Sequence, residues 1–395
     1  MDNLSLIGRK EGLFSKDIGL LSRKLEEVVS ESAFLVLGGG GTIGQSVVRE
    51  IFKRSPKKLH VVDLSENNLV ELVRDIRSSY GYIDGDFKTF ALDIGSLEFE
   101  VFFEADGEYD YVLNLSALKH VRSEKDPYTL MRMVETNILN TKRNIVQCIQ
   151  KGVKKYFCVS TDKATNPINL MGASKRVMEL FLMSLSSKIE ISTARFANVA
   201  FSDGSLLYGF ERRIEKQQPI AAPNDIKRYF ISKQESGELC LMSCIFGENG
   251  DIFFPKIDGR LDLISFSDIA KRYLEEMGYE PYLCKSEDES RKLAKVIIND
   301  GKWPCFFSET NTFGEKSFEE FYSQDEDVDL STFNSIGVIK SPYHYGGTSL
   351  QDFERAILHL KSTKKWTEGD ISKIFADTLP NLQHKKSKTS LDEKM

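Results

Sequence analysis

AFLVLGGGGTIGQSVVREIF, residues 33–52, decides the fold. A short apolar run ends in four consecutive glycines, and a helical pattern starts at once. Gly38, Gly41 and Gly44 therefore form a GxxGxxG array between a strand and a helix N-terminus. Glycine permits the tight turn, and the missing side chains let backbone N–H groups and the positive helix end reach a pyrophosphate. The next apolar run, KLHVVD, closes with Asp63, at the distance of about 20 residues where an acidic side chain accepts hydrogen bonds from an adenosine ribose. A carboxylate there repels a 2′-phosphate, so NAD is expected in preference to NADP.

Outward from this stretch, residues 33 to 195 repeat one pattern, an apolar or β-branched run followed by a stretch of period near 3.6, which predicts βαβ units. The strand candidates are AFLVL (33–37), KLHVVD (58–63), KTFALD (88–93), DYVLNLS (110–116), KYFCVS (155–160) and ISTARF (191–196). Helices are predicted at SENNLVELVRDIRSSY and at ETNILNTKRNIVQCIQKG, the latter capped by Gly152. The expected fold is α/β, a Rossmann-type doubly wound parallel sheet with a smaller, interleaved C-terminal α/β substrate domain. Residues 1–32 read as an N-terminal helical extension and 33–197 as the dinucleotide-binding domain. Residues 198–395 read as mainly substrate-binding, with a C-terminal extension and some segments returning to the sheet. In this last part helices are predicted at QESGELCLMSCIF, SFSDIAKRYLEEMG and SLQDFERAILHLKS, while SQDEDVDL and the tail HKKSKTSLDEKM read as solvated loop and terminus. Asp93 is expected to close the third strand at the edge where adenine would lie.

Composition narrows the function classes. With 53 Lys+Arg against 59 Asp+Glu the net charge is −6, which argues against nucleic acid as the main partner. The 41% hydrophobic content is too high for a disordered chain. The six cysteines form no CxxC pair and no histidines stand at HxxxH spacing, so neither zinc nor a disulfide framework is expected. Cys240 and Cys244, one helical turn apart, read as small buried hydrophobes. The N-terminus carries charges every few residues and lacks the apolar core of a signal peptide or membrane helix, so a cytoplasmic protein without a membrane partner is expected.

YFCVSTDKATNPINLMGASKRVMELFL follows the fifth strand, which puts Ser160, Thr161, Asp162 and Lys163 at the carboxyl edge where open α/β sheets bind ligands. Met171 and Lys175 lie four residues apart on a helix, the YxxxK spacing with methionine in the tyrosine position.

GxxGxxG, Asp63, NLSALKHV (114–121), STDKATNP, MGASK and RFANVAFSDGS (195–205) together resemble the extended short-chain dehydrogenase/reductase superfamily. More narrowly, residues 33 to 232 are similar to the capsule and flagellin sugar-nucleotide dehydratases acting on UDP-N-acetylglucosamine. The C-terminal half resembles a branch making 4-keto-6-deoxy sugars for legionaminic-acid-type pathways. This resemblance implies a redox-neutral reaction in which bound NAD takes hydride from sugar carbon 4, water leaves across carbons 5 and 6, and the hydride returns to carbon 6. By position, Asp162 resembles the acid and Lys163 the base, where dTDP-glucose dehydratases have Thr-Asp-Glu. Thr161 would handle the 4-hydroxyl in place of the missing tyrosine, and Lys175 would hold the nicotinamide ribose and depress the pKa of Lys163. The resemblance also implies cofactor contacts from Thr42, Ile43, Ile94, Ser116, Ala117, Lys119 and Asn137, and substrate contacts from Lys119, Thr161, Asn198, Ser205 and Arg228. His120 reads as a structural histidine and Ser160 as an ordinary strand-end hydroxyl. The expected activity is a UDP-N-acetylglucosamine 4,6-dehydratase, a hydro-lyase, retaining configuration at carbon 5 and associating with copies of itself. A carbon 5-inverting dehydratase, a carbon 4 epimerase and a non-catalytic NAD/UDP-sugar-binding protein are the alternatives.

Overall fold

The computed structural model describes residues 3–257, 259, 261, 263–310, 320–340 and 348–382. Two helices, α1 (Asn3–Leu6) and α2 (Ser15–Ser30), precede the sheet. Six strands then follow: β1 (Ala33–Leu37), β2 (Lys58–Asp63), β3 (Asp86–Ala91), β4 (Tyr111–Asn114), β5 (Lys155–Thr161) and β6 (Glu190–Phe196). They pair in parallel in the order β3-β2-β1-β4-β5-β6, the doubly wound arrangement expected from the sequence. Strands covered on both faces need near-continuous apolar runs, and β1, β2 and β5 have them.

The crossovers are α3 (Thr42–Phe52), α4 (Glu66–Tyr80), α5 (Leu97–Asp106), a helix running from α6 (Pro127–Val134) through a wide π turn at Glu135–Leu139 into α7 (Asn140–Lys151), and α8 (Leu170–Leu185). Side chains of Ser65, Ser96, Asp126 and Asn169 accept from backbone N–H groups at the starts of α4, α5, α6 and α8. Gly152 ends α7 at φ +68°, a conformation that favours glycine.

Two strand ends differ from expectation for local reasons. β3 pairs Asp86–Ala91 with Lys58–Asp63, so it ends two residues before Asp93, which sits in a turn with its carboxylate accepting the Gly95 N–H. β4 stops at Asn114 because that side chain turns back to accept the Ser116 N–H, leaving Leu115 and Ser116 outside the strand.

Beyond β6 the chain leaves the sheet through β7 (Asn198–Val199), α9 (Leu206–Glu215), β8 (Ile220–Pro223) and β9 (Lys227–Ile231). It returns with α10 (Lys233–Phe246) and β10 (Asp251–Pro255), leaves again through β11 (Leu263–Ser265), α11 (Phe266–Glu276), β12 (Glu280–Leu283), α12 (Glu287–Ile297) and β13 (Lys302–Ser308), and closes the sheet with β14 (Val328–Asp329) and β15 (Ile336–Ile339). β10 is parallel to β6, and β15 and β14 add antiparallel strands at that edge. β11-β9-β7 and β12-β13-β8 form two small sheets over a separate apolar core containing Phe201, Phe210, Phe230 and Trp303. α1 joins that core through Leu6 and Ile7, while α2 joins the main core through Leu25 and Val29, and an Arg9–Glu235 ion pair fixes the segment between them.

α13 (Thr348–Thr363) and α14 (Glu368–Thr378) pack Phe353, Ile357, Ile371 and Phe375 against α6 and α8. Cys240 and Cys244 are buried free thiols on α10. The acidic run SQDEDVDL is exposed at Gln324, Asp325, Asp327 and Leu330 as expected, but β14 takes Val328–Asp329 and Glu326 is buried. The tail HKKSKTSLDEKM lies outside the described residues. Among the described residues no helix is long and apolar enough to cross a membrane, and no group of three or more His, Cys, Asp or Glu side chains is placed to hold a metal.

Candidate active site

The glycine turn lies between β1 and α3 at the carboxyl edge of the sheet. Gly38 adopts φ +76°, and a Cβ there would come within 2.7 Å of the Ser116 amide nitrogen. A Cβ on Gly44 would lie 2.6 Å from Gly39 Cα and closer still to the Gly38 carbonyl oxygen. Gly41 caps α3 without a side-chain acceptor, so the first turn of that helix presents its N–H groups outward. Asp63 closes β2 as expected, with Oδ2 accepting the Gly40 N–H at 2.9 Å and Oδ1 accepting the Ser65 N–H at 2.8 Å. A carboxylate has about four acceptor sites, so capacity remains for two ribose hydroxyls. The cradle that a Cβ would fill, the open helix end and the acidic strand terminus together fit a dinucleotide.

Thr42, at the first position of α3, accepts the Asp203 N–H at 2.9 Å, and the Lys119 amine donates to Ser202 Oγ at 3.4 Å. Segment 201–205 thus crosses from the glycine turn to the loop after β4. Its backbone is unusual at Phe201, φ +54°, and at Gly204, φ +72°. His120 is exposed, and a Cβ on Gly204 would stand 2.9 Å from its Nε2. Crowding by protein lowers the pKa of both Lys119 and His120; Asp203 opposes the shift for Lys119, while the charges of Lys119 and Arg122 add to it for His120. Ser202, Asp203 and Gly204 belong to RFANVAFSDGS, but nothing in that string says that it folds over Thr42.

At the end of β5 the three catalytic candidates meet. Thr161 Oγ1 donates to Asp162 Oδ1 at 2.8 Å, and Lys163 Nζ donates to the same oxygen at 3.1 Å. Asp162 is buried, while Lys163 keeps part of its side chain accessible. Thr161 also caps the short turn Asp162–Ala164 by accepting the Lys163 N–H at 3.4 Å.

The other expected contributors make contacts within the protein. Lys175 is buried, and its amine donates to the Val159 carbonyl at 3.1 Å, with Met178 Sδ at 3.7 Å. Burial lowers its pKa, with Cys158 and Glu179 opposing the shift. Asn137 is fully buried in the π turn; its amide bridges both backbone groups of Leu118 and donates to Ser174 Oγ, so it holds the loop after β4 against α8. Met171 is buried among the apolar side chains of α6 and α8, its N–H donating to Glu124. Ile94 is buried in the core beneath the sheet edge; Ile43 and Ala117 are half-buried near the glycine turn. Asn198 donates to the Tyr229 carbonyl at 3.5 Å, Ser205 caps α9, and Arg228 is buried on β9 with its guanidinium donating to the Lys227 carbonyl at 2.9 Å. Sequence reasoning missed Glu179, Arg195 and Glu326, a buried set behind β5 whose members are too far apart in the chain to read together.

A doubly wound sheet with a glycine turn, an acidic second-strand terminus and a Thr-Asp-Lys strand end defines a Rossmann-type chain on the plan of the extended short-chain dehydrogenase/reductases. Residues 34–341 match the family described as polysaccharide biosynthesis protein, and the chain belongs to that family. It is 29% identical over 354 residues to the uncharacterized membrane protein MJ1061 of Methanocaldococcus jannaschii, covering 88% of this chain and 96% of that one. It is 24% identical over 322 residues to a protein of Campylobacter jejuni named UDP-N-acetylglucosamine 4,6-dehydratase (inverting), covering 79% and 91%. It is also 30% identical to the capsular polysaccharide biosynthesis protein CapD of Staphylococcus aureus over 78% of this chain, spanning about half of that relative's length. Among solved structures, Pen from Bacillus thuringiensis superposes with a TM-score of 0.65 at 24% identity, covering 84% of this chain and 98% of that one.

Proposed function

We propose that the protein is an NAD-retaining UDP-N-acetylglucosamine 4,6-dehydratase. The observation that carries this reading is the Thr161–Asp162–Lys163 cluster, held at the strand edge that also carries the glycine turn. Bound NAD would supply the hydride acceptor and donor for carbons 4 and 6. Lys119, Asn198 and Arg228, on the segments flanking the cleft, would meet the substrate diphosphate.

The proton inventory of the cluster suits an elimination. As an ion pair, Lys163 carries one transferable proton 3.1 Å from the Asp162 carboxylate. Its transfer to Asp162 creates a neutral amine and a carboxylic acid together, with no proton drawn from solvent. Lys163 then takes the carbon 5 proton as the carbon 5–carbon 6 double bond forms. Asp162 gives its proton to the departing hydroxyl, which leaves as water, and the ion pair is restored. The proton shed by the 4-hydroxyl at the oxidation would leave past Thr161 to solvent, and an equivalent proton would return to carbon 5 when hydride reaches carbon 6. Thr161, donating to the same carboxylate, keeps it oriented. The Lys175 amine holds the Val159 carbonyl, two residues before Thr161 on the same strand.

Incubation with UDP-N-acetylglucosamine, followed by NMR of the product, tests the reading. A 4-keto sugar with a carbon 6 methyl group is expected; unchanged sugar or its carbon 4 epimer would contradict it. Retention at carbon 5 is the proposed outcome, while the names of two Campylobacter jejuni relatives read inverting. The proton couplings at carbon 5 of the product decide between them.

Met171→Leu is expected to keep at least about a tenth of the turnover, because near-isosteric swaps in an apolar cluster cost little. A kcat loss as large as that of Asp162→Asn would give the thioether a chemical role. Asp63→Ser is expected to narrow the preference for NAD over NADP in a calorimetric titration. It should also weaken NAD binding by about tenfold, since the Gly40 and Ser65 N–H groups lose a charged acceptor. Equal or tighter NADP binding by the unmodified protein would remove the electrostatic basis of the choice.

A further inference from the structure

Behind the catalytic strand lies a buried ionic group that the proposed chemistry does not use. The Arg195 guanidinium, on β6, is fully buried and spends its N–H groups on five contacts. Nε and Nη2 each donate to Glu179 at 2.9 Å, Nη1 and Nη2 donate to Glu326 at 2.9 and 2.8 Å, and Nη1 donates to the Phe321 carbonyl at 2.8 Å. Arg176 approaches Glu179 at 3.1 Å and Glu326 at 3.7 Å, so two cations balance two anions. Buried charges persist only when paired and hydrogen-bonded, and removing one partner leaves the others stranded. Burial raises the Glu179 pKa, but the charge and hydrogen bonds of Arg195, with Arg176 and Ser160, more than reverse this and hold it at about 2.

The two ends of the catalytic turn are tied to this group. Ser160, immediately before Thr161, donates to Glu179 Oε1 at 2.6 Å. Thr165, immediately after Ala164, donates to the same Phe321 carbonyl that Arg195 holds, at 3.1 Å. One guanidinium therefore links the residue before the turn, through Glu179, to the residue after it, through Phe321. Glu326 and Phe321 come from the stretch just before β14, which also caps itself by donating the Ser323 N–H to Glu326 at 2.8 Å.

We propose that Arg195, with Glu179 and Glu326, is a positioning residue that holds the turn carrying Asp162 and Lys163 from both ends, so that segment 320–326 sets the acid/base geometry from a distance in the chain. The proposal rests on the dehydratase reading for its kinetic consequence, but not for its structural one. Ser160→Ala removes one tie with a minimal change of volume, and Glu326→Gln keeps shape while removing charge from the other side. Misplacement by about 1 Å can cost on the order of 10²-fold in rate. Each variant is therefore expected to lose about tenfold or more in kcat while KM for the UDP-sugar stays within about twofold. Amide hydrogen exchange should accelerate in peptides covering 159–166 and stay unchanged in α4, on the far side of the sheet. Unchanged exchange at 159–166 in both variants would overturn the proposal, and so would a uniform rise across the chain or parallel changes in KM and kcat. If the unmodified protein lacks dehydratase turnover, the functional reading falls, while the exchange comparison still decides whether Arg195 holds the turn.

Discussion

Lys163→Met is expected to lose about 10² to 10⁴ in turnover, the usual contribution of a positioned general base, while binding of NAD and UDP-sugar is retained. The substitution keeps the length and apolar stem of the side chain but removes the amine that stands 3.1 Å from Asp162 Oδ1. The variant therefore has nothing to accept the carbon 5 proton. Solvent deuterium exchange into carbon 5 is the observable that isolates this step. Exchange at the normal rate in Lys163→Met would mean that another group is the base, and the assignment of Asp162 as the acid would fall with it.

Gly44→Ala is expected to weaken dinucleotide binding by roughly 5- to 150-fold, the equivalent of the roughly 1–3 kcal/mol that overpacking costs. The added methyl would strike backbone at Gly38 and Gly39, which cannot swing aside as a flexible side chain can. Relief would come by moving α3 away from the turn, and the N–H groups at its start would then leave the position where they meet a pyrophosphate. Gly209→Ala, on α9 with nothing within 4 Å of the new methyl, serves as the control and should bind normally. Calorimetric titration with NAD reads both; an unchanged affinity in Gly44→Ala would show that the turn does not carry the phosphates.

The glycine turn, Asp63 and the Thr161–Asp162–Lys163 cluster were legible because each is local: the chemistry and the backbone that presents it lie within a few residues. The six parallel strands were legible for a similar reason, since each is a short local run, and β1, β2 and β3 are followed within a few residues by their helices. β10, β14 and β15 carry no such signal, and only pairing with β6 and with one another makes them strands.

Side-chain direction was the harder quantity. Lys175 stands at the expected helical spacing from Met171, yet it turns toward Val159, and an asparagine suited to a cofactor amide serves equally well at Asn137 to bridge Leu118 and Ser174. Glu326 shows the same limit in its strongest form. In SQDEDVDL it is one acid among several, which argues for water, but its partner Arg195 lies 131 residues away and no local pattern announces that pairing. The burial of such a residue is decided by tertiary contacts that composition does not encode.

The most direct measurement uses UDP-N-acetylglucosamine deuterated at carbon 4 and follows the label by NMR. Internal hydride transfer through a retained dinucleotide places the deuterium in the carbon 6 methyl group of the 4-keto product, with no net oxidation or reduction and no dinucleotide consumed. Deuterium still at carbon 4 of an unchanged or epimerised sugar, or a carbon 6 methyl group without label, would contradict a 4,6-dehydratase working through Asp162 and Lys163.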